Sequence, residues 1–405
     1  MMVLQGKYNK ALVFADNLED GAREQIIELL NQDFIEGSKV RIMPDVHQGI
    51  GCVIGFTADM GDKVIPNIVG VDIGCGMLTI ELGKVDIDLP TLDSIIYREI
   101  PSGRETHKGR RFKFDRLTDL YCFRDLRDTK RLERSIGTLG GGNHFIELGV
   151  DDKGNKWLVI HSGSRNLGKQ VAEIYQRLAV DLCSGKEEYF LKREEIIASY
   201  KSKGKRKQIK RALDQLAKEY ADHKPRYPKA LCYLTGEYRK RYLHDMKICQ
   251  DYASFNREKM AETILKALFD KGLQDFYHFE TIHNYINFKD NIIRKGAISA
   301  YEGEKVLIPI NMRDGSIIGI GKGNSAWNYS APHGAGRLMS RTVAKGAITM
   351  EEFKESMEGI YTTSINKSTL DEAPSAYKSM DEIMENIGDT VEVISIIKPI
   401  YNFKA

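Results

Sequence analysis

A thiol, a carboxylate and three imidazoles, most of them set beside glycines, are the side chains in this sequence best suited to hold metal. Asp72 and Cys75 lie in VGVDIGCGM, His144 in GTLGGGNHF, His161 in WLVIHSGS and His283 in TIHNY. Each follows or ends an apolar run expected to be a strand, and a loop at a strand end can aim a side chain into a shared cleft. VGVDIGCGM itself reads as a strand running into a Gly-x-Gly turn. Cysteine, aspartate and histidine together suit one or two transition metals, and a cysteine flanked by glycines keeps its sulfur open enough to approach two. Donor softness alone favours zinc. Taken singly, each residue has a plainer reading: Cys75 as a small buried apolar group, Asp72 as a turn residue, each histidine as a core or surface residue. Their joint placement carries the metal reading.

A second chemistry centres on His333, in APHGAGR (331–337). A histidine between a proline and glycines sits exposed on a tight turn, and Arg337 can hold an anionic group. That pattern suits an imidazole nucleophile attacking phosphorus, with the arginine offsetting charge on the oxygens. A further metal ligand or a plain loop histidine are the other readings. A nucleophilic imidazole needs its second nitrogen oriented, and Asp45 in MPDVHQG is the candidate. No phosphate-binding Gly-x-x-x-x-Gly-Lys-Ser/Thr motif occurs, since GIGKGNS (319–325) fails after the lysine. Any nucleotide is therefore expected to rest on metal, Arg and Asn. Hydrolase elbow and kinase signatures are absent too.

The elements that must position these residues are short β-branched runs over 1–180, among them VRIMPDV, CVIGFTA, VIPNIVGVDIGCGMLTIEL, NHFIELGV and WLVIHSGS. REQIIELLNQ has helical spacing. The texture then changes to charged helical segments over 186–268: EEYFLKREEIIASY, KRALDQLAKEYADH and a long one from YLHDM onward. Strand-like runs return from Glu280, helices are expected near 350–358 and 380–387, and VEVISIIKPIYNFKA reads as a final strand pair. Because the early texture resumes, we expect one α+β domain over 1–405, of mixed sheets and helices around a metal cleft. Residues 186–245 form a basic helical insertion within it. The segment KSKGKRKQIKR (201–211) has no acidic residue, and Lys205, Arg206 and Lys207 at its centre are candidate RNA-phosphate contacts; the plainer reading is a solvated hairpin.

Sixty Lys and Arg against 57 Asp and Glu leave a net charge of +3, so overall charge names no partner. No apolar run approaches the ~20 residues of a membrane helix, and the N-terminus lacks a signal-peptide layout. Six scattered cysteines are too few for a disulfide framework. A cytoplasmic, membrane-free protein is expected.

The motifs in their order resemble the RtcB-type RNA ligases across most of the chain. Carrying the resemblance are MPDVHQGIG (43–51), VGVDIGCGM (69–77), GTLGGGNHFIEL (137–148), IHSGSRNLG (160–168), HNY (283–285), RKGAISA (294–300) and HGAGRLMSRTVAK (333–345). The resemblance implies a distinctive single-domain α+β fold and a GTP-dependent ligase with two Mn2+ ions. Such an enzyme joins RNA ending in a 2′,3′-cyclic phosphate or 3′-phosphate to RNA beginning with a 5′-hydroxyl, in tRNA splicing or RNA repair. By the same resemblance Cys75 bridges the metals, Asp72 and His144 complete one site, and His161 and His283 the other. His333 is the residue that becomes guanylated and Asp45 orients it. Nucleotide contacts fall on Asn143, His144, Phe145, Ile146, Glu147, His283, Asn284, Pro309, Asn311, Met312, Ser316, His333, Gly334, Ala335, Gly336 and Lys404. Arg165 lies where the family keeps an arginine near the phosphates, and Arg337 joins it as a phosphate contact. A monomer, with room for an activating protein partner, is the expected assembly.

One stretch departs from the family pattern. Where the family has a Gly-Ser-Met-Gly turn at the guanine, this chain has Ile310-Asn311-Met312-Arg313. Arg313 adds charge at a glycine position, which points to a divergent bacterial paralogue. A metal-dependent cyclic phosphodiesterase acting on RNA ends without joining them is the alternative, as is a non-catalytic RNA-binding factor. A phosphodiesterase would need neither GTP nor His333.

Overall fold

The computed structural model describes residues 1–220 and 224–404. Ala221, Asp222 and His223, the end of the expected helix KRALDQLAKEYADH, lie outside the described residues. In chain order, β1 (Met2–Gln5), β2 (Lys10–Val13), α1 (Asp20–Leu30), β3 (Val40–His47) and β4 (Ile54–Asp59) come first. Then follow α2 (Pro66–Val69), β5 (Gly76–Gly83), α3 (Leu89–Glu99), α4 (Thr129–Arg134), β6 (Phe145–Val150) and β7 (Lys156–Ser162). Four helices form the next block: α5 (Arg165–Cys183), α6 (Glu187–Ser202), α7 (Ile209–Glu219) and α8 (Gly236–Phe269). The chain returns to strands with β8 (Tyr277–Ile282), β9 (Tyr285–Ile286), β10 (Ile292–Lys295), β11 (Ala297–Ser299), β12 (Lys305–Asn311), β13 (Gly315–Gly321) and β14 (Ser330–Pro332). It closes with α9 (Arg341–Ala347), α10 (Met350–Ser356), α11 (Met380–Ile387) and β15 (Val391–Lys404).

Three sheets result, in the orders β1-β2-β3-β4-β10-β9, β11-β14 and β12-β13-β15-β6-β7-β5-β8. β2 runs parallel to β3, and the other pairs are antiparallel. Early and late strands share both large sheets, so the chain is one α+β domain. In α1, Ala22, Ile26, Leu29 and Leu30 are buried at helical spacing, the amphipathic pattern its sequence implies. Helix α8 buries Tyr242, Met246, Cys249, Ala253, Met260 and Ile264 at intervals of three, four and seven, together with the polar Asp245, Asn256 and Arg257. It lies against β5 and β7 and against α5. Helices α6 and α7 pack on each other; α6 buries none of its residues and α7 only Leu216.

Two expectations are corrected. The run through VGVDIGCGM is not a strand entering a turn. Pro66 opens the short helix α2, and Gly70 (φ 106°) and Gly74 (φ 71°) hold a loop that only afterwards becomes β5. Asp72 and Cys75 therefore precede their strand. The C-terminal segment is not a strand pair but the single 14-residue β15, which pairs with β13 along its first half and with β6 along its second. The register shifts between Pro399 and Tyr401, where proline lacks the N–H that a regular ladder uses.

Candidate metal centre and nucleotide cavity

Four adjacent strands, β6-β7-β5-β8, bring the metal candidates together at one end of the large sheet. Met77 of β5 is paired with His161 of β7, Phe145 of β6 is also paired with His161, and Gly76 is paired with Ile282 of β8. Cys75, His144 and His283 are the neighbours of those paired residues, so strand register alone gathers all four. Cys75 Sγ lies 3.4 Å from His144 Nε2 and 3.3 Å from His161 Nε2, and His144 Nε2 lies 3.1 Å from Asp72 Oδ2. Two groups form, Cys75 with His161 and His283 and Cys75 with Asp72 and His144, the ligand atoms within each lying inside 4.8 Å of one another. Cys75 belongs to both.

The donor set fits a pair of divalent cations. His144 Nδ1 donates to the Leu139 carbonyl at 3.0 Å and His161 Nδ1 to the Asn143 carbonyl at 3.1 Å. A carbonyl only accepts, so Nδ1 carries a proton in both rings; Nε2 of His161 is turned to Cys75, and Nε2 of His144 faces both Cys75 and the Asp72 carboxylate. Burial and the neighbouring imidazoles hold His161 and His283 well below the usual histidine range, so both rings are neutral, the form in which an imidazole could bind a cation. Burial and then Asp72 push the Cys75 thiol well up, which a bound cation would reverse. For Asp72, burial opposes ionisation, but His144 and Arg165 outweigh it and keep the carboxyl below its ordinary value. The loop is tethered from behind. Ser164 N–H donates to Asp72 Oδ1 at 3.0 Å, and the buried Arg257 donates to the carbonyls of Gly74 (2.9 Å) and Ser162 (2.6 Å).

A line of imidazoles leads out of the cluster. The His161 and His283 rings are 5.4 Å apart, and the His283 and His333 rings 4.7 Å. His333 follows β14, and its Nδ1 lies 2.6 Å from Oδ2 of the fully buried Asp45 on β3. Gly336 (φ 77°) packs against the Asp45 backbone, where a Cβ would collide. His333 and His161 both line a cavity of about 360 Å3, a volume suited to a small-molecule ligand.

Of the residues expected at the nucleotide, Asn143, Phe145, Glu147, Pro309, Asn311, Met312, His333, Gly334, Ala335, Gly336 and Lys404 line this cavity, as does Ile310. His144 and His283 lie in the metal groups instead. Ile146 points to the opposite face of the sheet, into a core with Leu148 and Phe403. Asn284, at φ 63°, donates to the Asp72 carbonyl at 3.1 Å and accepts from Gly296 N–H, behind the metal loop. Ser316 is buried opposite Pro309 with its hydroxyl unpaired. Asn311 spends its carboxamide on its own turn, accepting from the Arg313 and Asp314 N–H groups and donating to Asp314 Oδ2. The charge of Arg313 is met by Asp314 at 2.7 Å. Arg165, in the left-handed region at φ 56°, lines a different cavity with Arg104, Arg131 and Lys169. The Arg337 guanidinium is committed to Glu372, Tyr377, the Asp371 carbonyl and the Met339 carbonyl. Lys205, Arg206 and Lys207 are exposed between α6 and α7.

Sequence reasoning missed several residues of the cavity wall: His47, Gln48, Ser340, Arg341, Tyr377 and Asn402. Burial lowers His47 to about 4, and its Nδ1 lies 2.9 Å from the Asp45 carbonyl. MPDVHQG carried the signal for His47 and Gln48. Glu372 was missed as well. It is ion-paired to Lys404 and to Arg341, and these cations outweigh burial to hold its carboxyl low.

Fold and site define a protein that presents clustered metal ligands beside a ligand-sized cavity, with a carboxylate-held histidine between them. The sequence profile of the RtcB family, described as "tRNA-splicing ligase RtcB", matches residues 25–122 and 123–405. The chain belongs to the RtcB family. It is 31% identical to "RNA-splicing ligase RtcB1" of Escherichia coli (strain ATCC 25922), over 95% of this chain and 94% of that one. It is 30% identical to "RNA-splicing ligase RtcB" of Escherichia coli K12 with the same coverage, and 26% identical to "tRNA-splicing ligase RtcB" of Aeropyrum pernix over 93% and 90%. Among the described residues no helix is long and apolar enough to cross a membrane.

Proposed function

We propose that this protein is a GTP-dependent RNA ligase that joins RNA 3′-phosphate or 2′,3′-cyclic phosphate ends to 5′-hydroxyl ends through a guanylated His333. The observation that carries the reading is the 2.6 Å contact between Asp45 Oδ2 and His333 Nδ1 at the wall of a cavity adjoining the Cys75 cluster. Relatives named as RNA-splicing ligases over nearly the whole chain support it. Two ions, taken as Mn2+, would be held by Asp72, Cys75 and His144 and by Cys75, His161 and His283, and would supply charge neutralisation on phosphate oxygens.

The chain's own residues do the rest. The Asp45 carboxylate accepts the proton on Nδ1, leaving the Nε2 lone pair of His333 for the α-phosphorus of GTP. As the new N–P bond forms, the bond to pyrophosphate breaks. An oxygen of the RNA 3′-phosphate then takes the guanylate from His333, and attack by the 5′-hydroxyl releases GMP. Guanylation is needed because a bare 3′-phosphate has no good leaving group. A cyclic phosphate is first opened to the 3′-phosphate. Phe145, Glu147 and Met312 hold the base, Asn143 and the Gly334–Gly336 turn the phosphates, and Lys404 completes the enclosure. Arg165 and, on the 186–245 insertion, Lys205, Arg206 and Lys207 are the proposed RNA contacts, whereas Arg337, expected as one, is engaged with Glu372, Tyr377 and two carbonyls and braces the turn that carries His333. The proposed setting is tRNA splicing or RNA repair by a cytoplasmic monomer, with an activating partner as an open addition.

Labelling with α-phosphate-radiolabelled GTP and manganese tests the reading. Acid-labile, alkali-stable protein label that is absent from His333→Ala is expected. Cyclic-phosphate opening without label in either protein would turn the assignment to a phosphodiesterase.

A further inference from the structure

The floor of the nucleotide cavity carries two side chains whose hydrogen bonding is incomplete. Glu147 of β6 and Asn402 of β15 are direct cross-strand partners, and the pair Phe145 and Lys404 lies two residues away on the same face. All four line the cavity. Asn402 Nδ2 donates to Glu147 Oε2 at 2.9 Å. That bond commits the amide nitrogen to Glu147 and leaves the amide oxygen over. Glu147 and Asn402 are 2% and 1% exposed, and the two remaining oxygens, Glu147 Oε1 and Asn402 Oδ1, have no hydrogen-bond partner. Buried oxygens left unpaired are costly unless a ligand brings donors to them.

We propose that Asn402 is a specificity-determining residue which, with Glu147, selects a base edge bearing two adjacent N–H donors, the N1–H and 2-amino edge of guanine. The inference rests on the ligase reading above. A base N–H brought against Oε1 favours the ionised carboxyl over the neutral acid of the empty cavity, so on binding Glu147 takes N1–H, the more acidic donor, and the Asn402 carbonyl takes a 2-amino hydrogen. Adenine sets the N1 lone pair where a donor is required, so one oxygen faces a lone pair and the other gains nothing. Hypoxanthine has N1–H but no 2-amino group, so it satisfies Glu147 and leaves Asn402 unpaired. Selectivity for guanine thus resides in a strand pair at the cavity floor, while Asn311 and Arg313 are occupied with Asp314.

Calorimetric titration of the full-length protein with GTP, ITP and ATP in the presence of manganese tests this. The wild type is expected to bind GTP about tenfold more tightly than ITP, the worth of one hydrogen bond to a buried acceptor. Asn402→Leu should bring the GTP/ITP ratio close to one, chiefly by weakening GTP, while ATP stays weakest because Glu147 is intact. The ratio is internal to each preparation, so an unfolded fraction cancels, and Asn402→Val repeats the measurement in a smaller strand-compatible form. GTP binding by the wild type with an unchanged ratio in both variants would overturn the role of Asn402 alone. Failure of the wild type to bind GTP would bring down the ligase reading and this inference with it.

Discussion

Asp45 Oδ2 accepts both the ring Nδ1–H of His333, at 2.6 Å, and the backbone N–H of the same residue, at 3.1 Å. One carboxylate oxygen thereby holds the imidazole and the turn that carries it. The partner oxygen Oδ1 is buried without a hydrogen bond, so the carboxylate has no competing task. Asp45 is itself set by β3, and the Lys378 ammonium donates to the Pro44 carbonyl at 2.8 Å just before it. Asp45→Asn keeps an oxygen for the backbone bond but loses the charge that supports a reacting imidazole. The initial rate of protein labelling by α-phosphate-labelled GTP should fall about 100-fold, with little change in melting temperature. An unchanged rate would reduce Asp45 to a loop support.

Both metal groups share Cys75, so its loss should weaken both. Cys75→Ala, loaded with manganese and desalted, should carry markedly less metal per chain by mass spectrometry of the elements, and should not ligate. Cys249→Ala is the matched control. It removes an equally buried thiol, on α8, that belongs to neither metal group, and should retain the wild-type metal content. Full activity of Cys75→Ala with two metals bound would end the bridging assignment.

Except for His283, in TIHNY, which lacks the signal, the candidate metal residues stood out in the sequence because they sit in short glycine-flanked motifs that local turn geometry constrains. His333 and Asp45 were legible for the same reason, although 288 residues separate them. The cavity floor was not. Glu147 and Asn402 are 255 residues apart, and nothing in either segment states that β15 pairs with β6 rather than folding back on itself. VEVISIIKPIYNFKA reads as a strand pair and is a single strand with a register shift after Pro399. Likewise Glu372 lies in a polar stretch without periodicity, and its place beside Lys404 depends wholly on tertiary packing. Helices fared better: α1, α10 and α11 fall where apolar spacing indicated, because each buries a single face.

Glu147 supplies a pH test independent of catalysis. Burial pushes its carboxyl up to about 8 from an ordinary 4.5, against the opposing pull of Asn402 and Lys404. A raised acid favours the folded state most while the group is protonated, so this contribution is complete below about pH 4.5 and is lost as pH rises through 8. Glu147→Gln removes the titration and keeps an oxygen for Asn402. Without nucleotide, the variant should match the wild type near pH 5 and exceed it in stability near pH 9, by roughly 5 kcal/mol as an upper limit. Urea denaturation at the two pH values measures the difference. Equal pH dependence in both proteins would mean that Glu147 is ionised in the empty cavity.

The insertion can be tested through salt. Lys205, Arg206 and Lys207 stand exposed on the turn between α6 and α7, and α6 buries no residue that would give the hairpin a core role. A cation that neutralises a phosphate releases counterions, so the logarithm of the RNA association constant falls linearly with the logarithm of salt concentration. The slope loses about 0.7 to 0.9 for each contact removed, whereas a charge that merely keeps the hairpin solvated leaves it unchanged. Replacing the three residues by glutamine should therefore weaken RNA binding at low salt and flatten the slope by about two units, with the rate of GTP labelling at His333 preserved because the substitutions lie outside the cavity. An unaltered slope would return the hairpin to a solvated surface element and leave RNA capture to the cavity that Arg165 shares with Arg104, Arg131 and Lys169.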